Sequence, residues 1–107
     1  MKTSTRDYFL RSVGPDKSFK LKRDHDEYVM DAYSLEGLRC ALGKVSDKVI
    51  VFHMRDRNDF AAWIGDVFGS DALRDALADV KLDRENLGMT RNALLKTLDL
   101  GINMLKE

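Results

Sequence analysis

Two histidines, one cysteine and a polar run leading into the single tryptophan are what this 107-residue chain offers to chemistry. His53 follows Phe52 and precedes Arg55-Asp56-Arg57-Asn58-Asp59-Phe60, which leads on to Trp63. An imidazole, a carboxamide, a carboxylate and an indole converging on one place would bind a small ligand or a peptide, and a histidine beside a carboxylate is a pairing used in general base catalysis. The same residues have a plainer reading, in which Asn58 or Asp59 caps a helix by accepting its first N–H groups and Trp63 is a core aromatic. The residue types favour that plainer reading. His53, Asn58, Asp59 and Trp63 stand as candidate binding residues, and no residue is assigned a catalytic role.

Other chemistries are weaker still. Cys40 with His53 would make a thiol nucleophile and its base, but Cys40 falls among Leu35, Leu38 and Leu42, where a thiol is expected as a small buried hydrophobe. His25 lies among Asp24, Asp26 and Glu27, a set that suits a hard cation and equally suits a solvated turn. There is no C-x-x-C or H-E-x-x-H spacing for zinc, and no G-x-G-x-x-G or G-x-x-x-x-G-K run for a phosphate. The expectation is of neither metal nor cofactor.

Basic and acidic residues are 18 each, so the whole chain casts no strong field toward nucleic acid or an anionic surface. Their distribution is uneven: residues 1–23 carry a net +5 and residues 24–36 a net −5. Adjacent strands with complementary solvated charges account for this. The sharper reading is a polyanion-binding face made by Arg6, Arg11, Lys17, Lys20, Lys22 and Arg23, with Tyr8, Phe9 and Phe19 interleaved. No apolar stretch approaches the roughly 20 residues of a membrane span. The N-terminus has no apolar leader core, so a cytoplasmic protein with no membrane partner is expected.

The elements that must position these residues divide the chain unevenly. Asp7 to Val13 reads as a strand, Gly14-Pro15-Asp16-Lys17 as a turn, and Phe19 to Arg23, alternating apolar with lysine, as the second arm of a hairpin. Glu27 to Tyr33 suggests a third short strand. Ser34 reads as an N-cap, with Gly43 closing its helix. Val49 to Phe52 has the composition of a strand, but Ser46-Asp47 ahead of it is a helix start, and Val49 to Met54 is read as helix by a narrow margin. Phe60, Trp63, Ile64, Val67 and Phe68 form one apolar stripe ending at Gly69. Ser70 caps the next helix, bearing Leu73, Ala76, Leu77 and Val80, and Thr90 is expected to cap a last helix with Leu94, Leu95, Leu98, Ile102 and Leu105. The prediction is a single α+β domain over residues 1–107, β-rich over about 6–33, with four or five helices over 34–107.

Val51-Phe52-His53 followed by Asn58-Asp59-Phe60-Ala61-Ala62-Trp63-Ile64 resembles a family of uncharacterised prokaryotic domains marked by an aromatic pair before a histidine and then an N-D-F-x-x-W-[IV] segment. Here Val51 replaces the first aromatic, and only Met54 to Arg57 separate the histidine from Asn58. The resemblance extends to an aromatic N-terminal strand at Tyr8-Phe9-Leu10, a leucine helix at Ser34-Leu35-Glu36-Gly37-Leu38, the stretch Gly69 to Leu73 and a closing leucine-rich helix. It implies one domain spanning nearly the whole chain and draws attention to His53, Asn58, Asp59, Phe60 and Trp63, without supplying a reaction.

The function expected from these readings is a non-enzymatic protein-interaction or regulatory module, meeting a protein partner or a second copy through the His53 to Trp63 segment or an exposed sheet edge. Nucleic-acid binding through the basic arm is the alternative. A ligand binder or enzyme using His53 with Asp59 is the third.

Overall fold

A computed structural model describes residues 5–106. Among them the order is helix α1 (Thr5–Phe9), strands β1 (Phe19–Asp24) and β2 (Glu27–Ala32), then helices α2 (Leu35–Leu42), α3 (Asp47–Met54), α4 (Asp59–Trp63), α5 (Asp71–Ala78) and α6 (Leu87–Lys106). Helix α4 runs on into a π-helical turn, Ile64–Phe68. The fold is α+β: a two-stranded antiparallel sheet near the N-terminus, packed against a mainly helical remainder.

An isolated hairpin is marginal in water, so this one depends on what it leans on. Phe19 and Leu21 on β1 and Ala32 on β2 are buried while Lys20 between them is exposed, which is the alternation the sequence carries. Helix α3 packs against β1, and α2 against β2. The long helix α6 forms the floor on which α1, α2 and α5 lie.

The hairpin is not the expected one. Phe19–Asp24 pairs with Glu27–Ala32, with Asp24 closing the tight turn by accepting the His25 N–H at 2.8 Å. The segment Asp7 to Val13 is not a strand. Its start is the end of α1, and Val13 N–H reaches the carbonyl of Tyr33, just past β2, at 2.7 Å. The reason is competition for β1: β2 takes one side and α3 packs on the strand, so the β propensity of Tyr8-Phe9-Leu10 finds no edge. Phe9, Leu10 and Val13 spend their apolar surface against the core instead. The Gly14–Lys17 turn does form, with Lys17 N–H on the Gly14 carbonyl at 3.0 Å.

Val49 to Met54 is helix, because only Val49, Ile50, His53 and Met54 face inward, a helical spacing that an alternating strand could not produce. Helix α2 is capped by Ser34, whose hydroxyl accepts from Gly37 N–H at 2.9 Å. Gly43 ends it in a right-handed conformation (φ −77°), so glycine's special freedom is not used there. Cys40 lies on the exposed side of α2, contrary to the buried thiol expected from its leucine neighbours. The last helix starts at Leu87, three residues before the expected cap. Asn86 accepts from Met89 N–H at 3.1 Å at that start. Thr90 is buried inside the helix, where its hydroxyl accepts from Asp83 N–H at 2.9 Å and ties down the preceding loop.

Gly69 is the position where a glycine is needed. Its φ of 70° ends the π-helical turn, and its N–H reaches the Ile64 and Gly65 carbonyls at 3.1 and 3.2 Å. A Cβ there would meet no atom within 4 Å, so the penalty for Gly69→Ala is backbone strain alone, about 1 kcal/mol. Thermal unfolding of that variant is expected roughly 4–8 °C lower, with an unchanged denaturant slope.

Candidate functional site

His53 emerges from the inner face of α3 with 4% of its surface exposed. The rings of Phe19, Phe52 and Phe60 surround it, with centroids 4.8, 5.0 and 5.4 Å away. Its Nε2 accepts the Lys22 main-chain N–H at 3.0 Å, and its Nδ1 faces Asp59 Oδ2 at 3.1 Å. Those two contacts fix the tautomer: an amide can only donate, so Nε2 carries the lone pair and the proton of the neutral ring sits on Nδ1, donated to Asp59. Burial pushes the imidazole below its usual value, against the opposing pull of Asp59, so the ring is neutral at pH 7.

Asp59 is one-third exposed and also pairs with Arg57, Nε to Oδ1 at 3.1 Å. The row Arg57, Asp59, His53, Lys22 N–H has the first half of an acid–base relay, a carboxylate orienting an imidazole. The second half is closed off. A general base needs its other nitrogen directed at a proton to be removed, and here that nitrogen is occupied by the chain's own backbone.

Asn58 and Trp63 are engaged in the same way. Asn58 caps α4, its Oδ1 accepting from Ala61 N–H at 3.1 Å, while its Nδ2 donates to the Leu77 carbonyl at 2.8 Å and joins the start of α4 to the end of α5. Trp63 is buried, edge-on to Phe68 and Phe19, and its Nε1–H donates to the Lys17 carbonyl at 2.8 Å. A shallow depression of about 440 Å³ lies over this cluster, rimmed by Ser18, Lys20, Lys22, Arg57 and Asp66. The structure thus brings His53, Asp59 and Trp63 to one depression, turns the Asn58 side chain away toward α5, and gives each of the four an internal hydrogen-bond partner.

Part of the basic arm is engaged in local contacts. Lys20 reaches Asp31 at 3.2 Å, Arg23 pairs with Glu27 at 3.2 Å, and Arg11 lies over the Tyr8 and Phe68 rings while donating to the Val67 carbonyl at 2.9 Å. Lys17 and Lys22 supply the carbonyl and N–H that hold Trp63 and His53. Asp31 gathers the hydroxyls of Tyr28 and Ser18 as well as Lys20, and the Tyr28 hydrogen bond above all holds its carboxyl down to about 2. The Arg6 side chain lies outside the described residues. No group of three or more metal-ligating side chains occurs among the described residues, and none of their helices is long and apolar enough to cross a membrane.

One surface feature was not anticipated. Between α5 and α6 runs an apolar groove of about 310 Å³, with Ala72 and Ala76 on one wall and Leu100 and Met104 on the other. Leu100 is 57% and Met104 72% exposed. The signal was present in the sequence: both residues fall off the Leu94, Leu98, Ile102 stripe, leaving α6 with apolar side chains on a face that had no assigned neighbour.

No family model matches the chain, and neither a curated protein nor a solved structure matches it significantly.

Proposed function

We propose that the chain is a small non-enzymatic interaction module of the prokaryotic cytoplasm that works by self-association through the groove between α5 and α6. The observation that carries this reading is the open apolar wall of Leu100 and Met104, one helical turn apart, facing the small residues Ala72 and Ala76. A patch with a large-residue wall and a small-residue wall is self-complementary under a two-fold axis: each copy seats its α6 ridge against the other's α5 alanines. The internal use of His53, Asn58 and Trp63 supports the non-enzymatic part, since activity at that cluster would first have to break bonds the fold makes. Membership of the prokaryotic family that the His53 to Ile64 segment resembles belongs to the same proposal.

Light scattering as a function of concentration tests it. A dimer mass is expected for the wild type and a monomer mass for Leu100→Glu, which places a charge on an already exposed site and should leave stability within about 0.5 kcal/mol. A wild-type monomer at about 1 mM, where an association worth about 4 kcal/mol would still show, overturns self-association.

A further inference from the structure

Both histidines of the chain stand at one junction, between the hairpin and α3, and both are placed there as hydrogen-bond acceptors. His53 on α3 accepts from Lys22 N–H on β1 at 3.0 Å. His25, in the turn between β1 and β2, presents Nε2 to the guanidinium of Arg55, just past α3, at 3.3 Å. A guanidinium has only donors, so this contact too needs a nitrogen lone pair. Phe52 joins the two, with His25 and His53 edge-on to its ring at 5.4 and 5.0 Å and Arg55 over it at 4.8 Å. We propose that the two histidines are a proton-operated latch: neutral, they fasten the hairpin to α3, and protonated, they release it while the α2, α5 and α6 body stays folded.

The chemistry follows from the geometry. Protonation of His53 turns Nε2 from acceptor to donor, setting two N–H groups against each other inside a cage of three phenyl rings. Protonation of His25 sets an imidazolium against Arg55. The strand is already weakened at the contact, because its register with β2 shifts on both sides of Lys22. The charged groups facing His53 are Asp59 at the start of α4, with Arg57 beside it, and Lys22 from β1. Asp59 favours the imidazolium, but it is shared with Arg57 at 3.1 Å; Lys22 and burial oppose it, and burial is the largest influence. His25 is exposed, with Asp24 accepting its main-chain N–H and Arg55 against its ring, so the latch rests chiefly on the buried His53.

With the folded imidazole below its usual value of 6.5, the released state binds the proton more readily. The latch is therefore closed above about pH 6.5, and the released population rises about tenfold for each unit of pH below that, until the folded value is passed.

Amide hydrogen exchange of the full chain, corrected for intrinsic rates and followed from about pH 7.5 to about pH 5, reads this directly. The expected result is a progressive loss of protection at the Phe19 to Ala32 amides as pH falls below about 6.5, levelling off once the His53 imidazole of the folded protein titrates by nitrogen chemical shift, with α6 unchanged. In the double variant His25→Gln, His53→Gln, whose amide oxygens accept without titrating, hairpin protection is expected to be flat over this range. A hairpin that stays protected while His53 titrates overturns the proposal, as does joint loss from hairpin and α6, or a double variant with the wild-type dependence. Should the double variant not fold, wild-type shifts decide: a neutral ring protonated on Nε2, or no titration before global unfolding, also overturns it.

Discussion

Phe60→Ala is expected to cost about 3–5 kcal/mol, enough to leave a domain of this size largely unfolded at moderate temperature. Phe60 has no exposed surface, and its ring packs 5.2 Å from Phe19 on the hairpin and 5.4 Å from His53 on α3. It is therefore shared by three elements, and removing it opens a cavity that no single side chain can collapse to fill. The loss also propagates, because the imidazole cage loses a wall and water gains a route to a hydrogen bond that depends on dryness. Urea unfolding should show a large fall in midpoint, or no cooperative transition at all. A loss below about 1 kcal/mol would mean that the hairpin and α3 do not rest on this ring.

How much of this was legible in the sequence differs with the kind of interaction. Caps whose donors lie three residues on were readable from residue type, as at Ser34, Asn58 and Ser70, because a short polar side chain ahead of an apolar stripe has few other uses. The apolar stripe from Phe60 to Phe68 was readable for the same local reason, though not the π-helical turn within it. What failed depended on competition between distant segments. Tyr8-Phe9-Leu10 has the propensity of a strand, yet the hairpin closes at Asp24 to Glu27, and a sequence does not rank two possible partners for β1. Thr90 and Asn86 are both plausible caps four residues apart, and the tie from Asp83 N–H to Thr90, which draws Thr90 into the helix, is a backbone donor that composition does not display.

The candidate site divides along the same line. That His53 lies near Asp59 follows from six residues of separation across a helix start. That its other nitrogen is filled by Lys22 N–H, 31 residues away, could not be read, because every residue but proline carries that donor. The difference matters to the functional conclusion: the readable half suggests an acid–base pair, and the unreadable half is what closes it.

His53→Leu separates the two halves by experiment. Leucine is apolar and comparable in bulk, so the phenyl cage stays filled and little of the effect comes from a cavity. What is lost is the acceptor for a part-buried N–H and the donor to Asp59, which keeps Arg57 as a partner. The unpaired N–H accounts for about 1–3 kcal/mol and the second hydrogen bond for about 1 more, so a destabilisation of about 2–4 kcal/mol is expected at pH 7. The sign of the pH dependence follows from the lowered imidazole. The wild type holds the full benefit above about pH 6.5 and loses it as pH falls toward the folded value, whereas leucine has no proton to gain. The two proteins should therefore converge in urea midpoint on acidification, the wild type falling toward the variant. A leucine variant as stable as the wild type at pH 7 would show that the ring serves the fold only as an apolar filler, and that its two hydrogen bonds contribute nothing net.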